Sequence, residues 1–308
     1  MKERKDSRGF LVRGRQVPDE HLGQFRDSSS GDADQWRRHL ADNGYVFLRG
    51  VLDRDEVMSA REEVFSRLVE VGEIEPPGIE GIATGRSRRR ELEDDLIGFW
   101  RSVSEGPALR RVSHGPRVRA IMQKIFDEPA RPQDYLWLRP RAVGWSTGLH
   151  FDHPFFARGS PRVHTVWIPL GDVPFCNGPL TMVEGSNKFL DLIDSVHARD
   201  SQSNSSPTVA ERTAFEGEWS ADAIAFLRKR NARLLSAEFY AGDVLVFTPD
   251  ILHGSLDNHS RISSTRLSCD VRYQPESDPL DERYFGPNPS GASGQGYGDM
   301  NSCKPLTE

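Results

Sequence analysis

The chain has 308 residues, 36% hydrophobic and 28% charged, with a net charge of −6; that is ample for one sizeable globular core. The acidic balance argues against a general nucleic-acid binder. No run approaches the ~18 apolar residues of a membrane span, and the basic N-terminus lacks the apolar stretch of a secretory signal.

Residues 1–30 are polar and rich in Ser, Asp and Gly, which predicts a loose N-terminal arm. "DADQWRRHLADNG" reads as a short amphipathic helix stopped at Gly44, and "YVFLRG" as a strand. In "DRDEVMSAREEVFSRLVEVG", Asp53 and Glu56 fit a capping box, and Val57, Ala60, Val64, Leu68 and Val71 form one apolar stripe. Residues 73–95, with Pro76, Pro77 and several glycines, predict a long loop that acts as a lid. Its Arg86, Arg88, Arg89 and Arg90 are available to an acidic group or to the acids that follow them. "GPRVRAIMQKIFDEP" predicts a further helix.

The texture changes near residue 133. "DYLWLRPRAV", "RVHTVWIPLGDV", "GPLTMVEG", "LLSAEFYAG", "DVLVFTPD" and "TRLSCDVRYQ" are short β-rich runs punctuated by Gly, Pro and Asn, the pattern of a sandwich or jelly roll. A polar stretch over 190–232 reads as an insertion framing a substrate pocket, and the tail 286–308 as irregular. Cys176, Cys269 and Cys303 match no zinc spacing and cannot all pair, so reduced thiols and a cytoplasmic location are expected.

"HFDHPFF", residues 150–156, carries the chemistry. In a strand, residues i and i+2 share a face, so His150 and Asp152 project together and Phe151 opposite. An imidazole and a carboxylate on one face supply two thirds of a 2-His-1-carboxylate iron site. Of the nine histidines, His253 stands out as the third ligand because it follows the strong β-run "DVLVF"; His164, inside "RVHTVWIPL", is the next candidate. Three protein ligands leave three positions open, enough for a bidentate 2-oxo acid and O2. The far carboxylate of such an acid needs a cation away from the metal. Arg266 and Ser268, i and i+2 in "RLS", suit that task, with Arg272 as the fallback.

These pieces, in this order, resemble the phytanoyl-CoA dioxygenase (PhyH) family of Fe(II)/2-oxoglutarate oxygenases. The matching stretches are "NGYVFLRGVLDRDEV", "STGLHFD", "TVWIPLGDVPFCNGPLTMVEGSNK", "AGDVLVFTPDILHGS" and "TRLSCDVRYQ", covering most of residues 43–275. The resemblance implies a mainly β fold with flanking α, a double-stranded β-helix (jelly roll, cupin-like) with N-terminal helices, as a single domain over 31–285. It implies iron ligands at His150, Asp152 and His253, and 2-oxoglutarate anchored by Arg266 with Ser268 or Ser255 assisting. Where some members carry the arginine eleven residues past the distal histidine, this chain has Ser264. Trp167 has two readings, a wall of the cosubstrate pocket or core; Phe155 and Phe156 are candidates for the substrate wall.

The expected reaction is hydroxylation of an unactivated C–H bond of a small molecule, with release of succinate and CO2. Asp152 argues against halogenation, which needs its position on the metal vacated. A cupin-like metal protein or isomerase without oxygen activation would keep the three ligands but leave Arg266 and Ser268 unexplained, and so would a zinc hydrolase.

Overall fold

The computed structural model describes residues 10–156, 158–200, 219 and 221–308. Strands β1 (Leu11–Val12), β2 (Arg15–Gln16) and β3 (Leu22–Gln24) lead into α1 (Ala33–Asn43) and β4 (Tyr45–Leu48). Five helices follow: α2 (Arg54–Glu70), α3 (Arg89–Leu92), α4 (Leu96–Ser104), α5 (Pro107–His114) and α6 (Pro116–Phe126). Then come β5 (Ala130–Arg141), α7 (His153–Phe156), β6 (His164–Pro169), β7 (Leu180–Val183), α8 (Leu190–Asp200) and α9 (Ala223–Arg230). The chain continues through β8 (Leu234–Ser236), β9 (Val244–Phe247), β10 (His253–Ser255) and β11 (Arg266–Pro275).

Local chemistry sets the helix boundaries. Asp32 and Gln35 close a capping box on α1, and Gly44 ends it in the left-handed region at φ 78°. Asp53 accepts the N–H groups of Asp55 and Glu56 at the start of α2, whose predicted apolar stripe is buried throughout. Helices α4 and α5 escaped the sequence reading because each is short. Gly106–Pro107 and Gly115–Pro116 restart the chain, placing a proline at the first helical position of α5 and of α6.

The strands form a five-stranded sheet, order β4-β9-β6-β11-β5, and a four-stranded sheet, order β10-β7-β8-β3. Their facing sides share one apolar cluster, in which Trp167, Leu245 and Phe247 meet Leu180, Met182 and Leu235. The other side of the large sheet packs Val166, Ile168, Leu267, Cys269 and Val271 against α2, α4, α5 and α6. The four-stranded sheet is backed by Phe226 and Leu227 of α9 together with Phe10 and Val17. Each buried Leu or Val contributes about 1.5–3 kcal/mol, so the helices clamp the large sheet and leave its inner face to the site.

Three expectations need correction. Residues 10–30 are no loose arm: β3 pairs in parallel with β8, and Phe10, Val17 and Phe25 are buried. A few apolar residues in a polar stretch suffice when a sheet edge is waiting for them. The tail beyond 286 is packed and partly regular, with short 3-10 helices at Gly296–Asp299 and Asn301–Cys303, Tyr297 stacked on Tyr135 and Cys303 buried. Residues 73–95 are not loosely held. Ile74 bridges Ala83, Ile82 bridges Ser264, and Arg89 is buried in an ion pair with Glu73. Arg90 pairs with Glu308 and Arg88 with Glu91, so these cations already have partners. The middle of the expected 190–232 insertion, residues 201–218 and 220, lies outside the described residues; α8 and α9, within the same stretch, stand on either side of it.

Candidate active site

The site begins with a close approach of two chain segments. His150 and His253 exchange backbone hydrogen bonds, His150 N–H to His253 O at 2.8 Å and His253 N–H to His150 O at 3.0 Å. Gly254 makes this possible: a Cβ there would lie 2.6 Å from the Thr147 carbonyl oxygen. The Gly of "HGS" is therefore the residue that lets segment 147–150 lie on β10. Beyond His150 the predicted strand ends. Asp152 donates its N–H to Pro249 O at 3.1 Å, and the chain turns into α7. Phe151 still points away from the site, into the cluster behind the small sheet with Trp219.

Three ligand atoms converge. His150 Nε2 and His253 Nε2 lie 3.6 and 3.7 Å from the same oxygen, Asp152 Oδ1. Both rings are fixed from behind: His150 Nδ1 meets Gly148 O at 2.9 Å, and His253 Nδ1 meets Ile251 O at 3.0 Å. A carbonyl accepts only from an N–H, so each Nδ1 carries a proton, which leaves Nε2 as the nitrogen through which each ring would bind a metal. Burial, followed by the neighbouring His150, pushes the His253 imidazole down to about 4, keeping it neutral. Asp152 Oδ2 is occupied, accepting from Thr165 Oγ1 and Arg272 Nη2, each at 2.8 Å. Burial alone would raise the Asp152 carboxyl; the Arg272 guanidinium, His253 and His150 overcome it and hold the group well below the ordinary carboxylate range. Two imidazole nitrogens and one ionised carboxylate oxygen, all directed at one point, fit a divalent iron.

Strand β11 carries the rest. Arg266, Ser268, Asp270 and Arg272 alternate with Leu267, Cys269, Val271 and Tyr273, and the second set faces the helices. Arg266 is 3% exposed and donates to Ser268 Oγ at 3.3 Å. Burial, then repulsion from Arg141, brings its guanidinium down to about 9. Across the ladder, Arg139 sits opposite Ser268 and pairs with Asp270. Arg272 lies over the rings of Trp137 and Phe156, 4.1 and 4.7 Å from their centroids.

The structure thus brings together His150, Asp152 and His253, and places Arg266 with Ser268 on one face of β11. Ser255 Oγ accepts from Thr147 N–H at 2.8 Å, so it fastens the segment leading to His150. Trp167 is buried with its ring edge on Phe239, centroids 4.7 Å apart, and neighbours Asp270 in the ladder. His164 lies apart from the convergence, stacked on Phe126 of α6. Phe156 packs on Arg272, and Phe155 packs against the helix-side core. Arg272, the fallback anchor, gives Nη2 to Asp152 Oδ2, while its Nε and Nη1 have no hydrogen-bond partner among the described residues. Sequence reasoning missed Arg272, Thr165, Arg139 and Asp270 as a set. Their signal was the alternation of "RLSCDVR": polar groups at every second position of a buried strand line a polar pocket. Beside the site, His153 and His197 stack at 3.6 Å and share Asp250 Oδ1, tying α8 to the segments that carry the ligands.

The chain aligns with the 1-deoxypentalenic acid 11-beta-hydroxylase of Streptomyces exfoliatus at 26% identity over 283 residues, covering 88% of this chain and 91% of that protein. Its fold is similar to that of SnoN, a non-haem α-ketoglutarate-dependent epimerase of nogalamycin biosynthesis (TM-score 0.51, 19% identity, 80% of this chain and 84% of that one). It is equally similar to SnoK, a carbocyclase from the same biosynthesis (TM-score 0.51, 19% identity, 80% and 87%). The sequence model of the phytanoyl-CoA dioxygenase (PhyH) family matches residues 40–266, a span that runs from α1 through both histidines to the first residue of β11. The chain belongs to the phytanoyl-CoA dioxygenase family and is an iron- and 2-oxoglutarate-dependent dioxygenase.

Proposed function

We propose that the enzyme hydroxylates an unactivated C–H bond of a small-molecule metabolite or natural-product intermediate, converting 2-oxoglutarate and O2 to succinate and CO2. His150, Asp152 and His253 hold the iron. Arg266, with Ser268, holds the far carboxylate of 2-oxoglutarate, and the two facing sheets form the double-stranded β-helix that carries both. The observation behind this reading is the convergence of His150 Nε2, His253 Nε2 and Asp152 Oδ1, with the remaining polar atoms of all three side chains already bonded. When bound, the iron supplies the redox chemistry. The protein's own residues orient the ligands, keep them deprotonated and exclude competing reactions.

A metal-binding protein without oxygen activation would have no use for a buried arginine such as Arg266, which has no acidic partner among the described residues, unlike the buried Arg89 and Arg272; a dicarboxylate cosubstrate uses it. The hydroxylase relative of near-equal span favours hydroxylation over the epimerase and carbocyclase outcomes of the two fold neighbours. The test is succinate release from 2-oxoglutarate across a panel of small acids and terpenoid-like metabolites, with Fe(II) and O2, coupled to mass analysis. A gain of one oxygen atom in the product supports hydroxylation. A product of unchanged mass, or one that has lost two hydrogens, replaces it.

A further inference from the structure

The inner face of the β5–β11 pair holds more cations than its acids offset. Arg139 pairs with Asp270, and Arg272 with Asp152. Arg266 and Arg141 have no acidic partner within ion-pair distance among the described residues. They are direct partners in the antiparallel register, Arg266 opposite Arg141 and Ser268 opposite Arg139. Opposed residues on one face lie about 4.5–5.5 Å apart at Cβ, so the two side chains start as neighbours. Arg141 Nη2 reaches Thr147 Oγ1 at 3.4 Å, and the N–H of Thr147 donates to Ser255 Oγ. Arg141 therefore reaches from the large sheet to the segment that lies on β10. The Nε atoms of both arginines are buried without a hydrogen-bond partner among the described residues.

Like charges held together out of water are costly unless an anion lies between them. The effect is visible on both groups. Burial and Arg141 depress Arg266 to about 9, and burial and Arg139 depress Arg141 to about 10. Buried N–H groups left open on two adjacent guanidiniums are the donor set of a carboxylate, which accepts forked bonds on both oxygens.

We infer that Arg141 and Arg266 form a single carboxylate seat, in which Arg141 is the second cation holding the far carboxylate of 2-oxoglutarate. The inference rests on the assignment of Arg266 as the anchor. It makes Arg141 a positioning residue for the cosubstrate, at a place where the sequence motif shows only one arginine. A carboxylate on the substrate is the rival source of the anion.

The test is calorimetric titration of 2-oxoglutarate, and separately of pyruvate, into the anaerobic Fe(II)-loaded full-length protein. Pyruvate keeps the metal-binding end but lacks the far carboxylate. Arg141→Leu is expected to weaken 2-oxoglutarate by about 10–100-fold and to leave pyruvate within about twofold, with Arg141→Lys in between. The cosubstrate-free Arg141→Leu protein should melt no lower than wild type, because a repulsion has been removed. Unchanged 2-oxoglutarate affinity in Arg141→Leu, with a clear loss in Arg266→Leu, would overturn the inference and assign Arg141 to the substrate. Unchanged affinity in both variants would overturn the Arg266 assignment itself. Equal losses for 2-oxoglutarate and pyruvate would reduce Arg141 to a structural prop. If Arg141→Leu does not fold, Arg141→Lys decides: it must lose 2-oxoglutarate selectively.

Discussion

Two buried arginine–carboxylate pairs in this molecule look alike and do different things. Arg89 and Glu73 are fully buried and 2.6 Å apart; Arg272 and Asp152 are almost as buried and 2.8 Å apart. Each guanidinium also lies over two aromatic rings, Phe99 and Trp100 for Arg89, Trp137 and Phe156 for Arg272. The difference is in what remains open. Glu73 gives one oxygen to Arg89 and the other to Ser87, and Arg89 spends Nη1 on the carbonyls of Ser302, Cys303 and Lys304. Both oxygens of Glu73 are therefore spent, and the network fastens the C-terminal segment to the loop at 73–95. Asp152 has one oxygen bonded and the other facing the Nε2 atoms of two imidazoles. Burial and pairing do not distinguish a structural ion pair from a functional one; the unspent acceptor does.

The sharpest way to break the comparison is to remove the unspent oxygen. Asp152→Ala, or His253→Ala, should abolish tight Fe(II) binding and bring 2-oxoglutarate turnover to background, since a facial triad needs all three ligands. Metal content after anaerobic loading checks this; full iron stoichiometry in His253→Ala would rule that residue out. The next effect belongs to the Arg89–Glu73 pair. Glu73→Ala strands Arg89 in the core, and breaking a buried pair from one side costs about 3–5 kcal/mol. Denaturant unfolding should show that loss, while the protein that remains folded at low temperature binds iron as wild type does. An equal fall in iron affinity would mean the two networks are not separate.

Arg272→Leu should be milder and of another kind. The guanidinium orients Asp152 and keeps it ionised, so its loss should weaken Fe(II) by about 10–100-fold. The pH dependence identifies the mechanism. With Arg272 in place Asp152 stays charged far into acid; without it the carboxyl rises and protons compete with the metal at higher pH. Chelator competition across pH should show iron binding in Arg272→Leu failing at a higher pH than in wild type, and Arg272→Lys recovering part of the difference. Parallel curves would reduce Arg272 to packing.

Much of this was legible in the sequence, for a physical reason. Helices and strands with a strong period, such as the Val57–Leu68 stripe or "DVLVF", report their own burial. The ligand pair and His253 were readable because i, i+2 spacing and a histidine just past a strong β-run leave marks in a short window, whereas the close approach at Gly254 shows only in the fold. What failed were judgements about segments whose partners lie far away in the chain. The stretch 10–30 looks disordered until β8 is beside it, and "RSRRRELEDD" looks like a solvated run although Arg89 is wholly buried against carbonyls of the C-terminal segment. Charge in a sequence does not say whether its counter-charge is local. Arg272 was noted only as a spare anchor, because nothing within its own strand reveals that Asp152, Trp137 and Phe156 meet it.

The smallest effect concerns the histidine that was the alternative ligand. His164 faces the helices, stacks on Phe126 with ring centroids 5.1 Å apart, and bonds Val163 O through Nδ1. Burial, only partly offset by that bond, brings its imidazole down to about 4. The unfolded chain keeps an ordinary value of about 6.5. Between these limits the unfolded state binds the extra proton and the folded state does not, so stability rises with pH through this window and falls as acid is added. One such group contributes a slope of at most about 1.4 kcal/mol per pH unit. His114, brought down to about 3 by burial and then Arg110, adds to it in the same direction. His164→Phe should therefore flatten the dependence of unfolding free energy on pH between about 4 and 6.5 by up to one proton, with iron binding and cosubstrate affinity at neutral pH unchanged. Denaturant melts at half-unit pH steps measure the slope. An unaltered slope would show that His164 titrates normally in the folded protein, and a loss of iron would return it to the list of ligands.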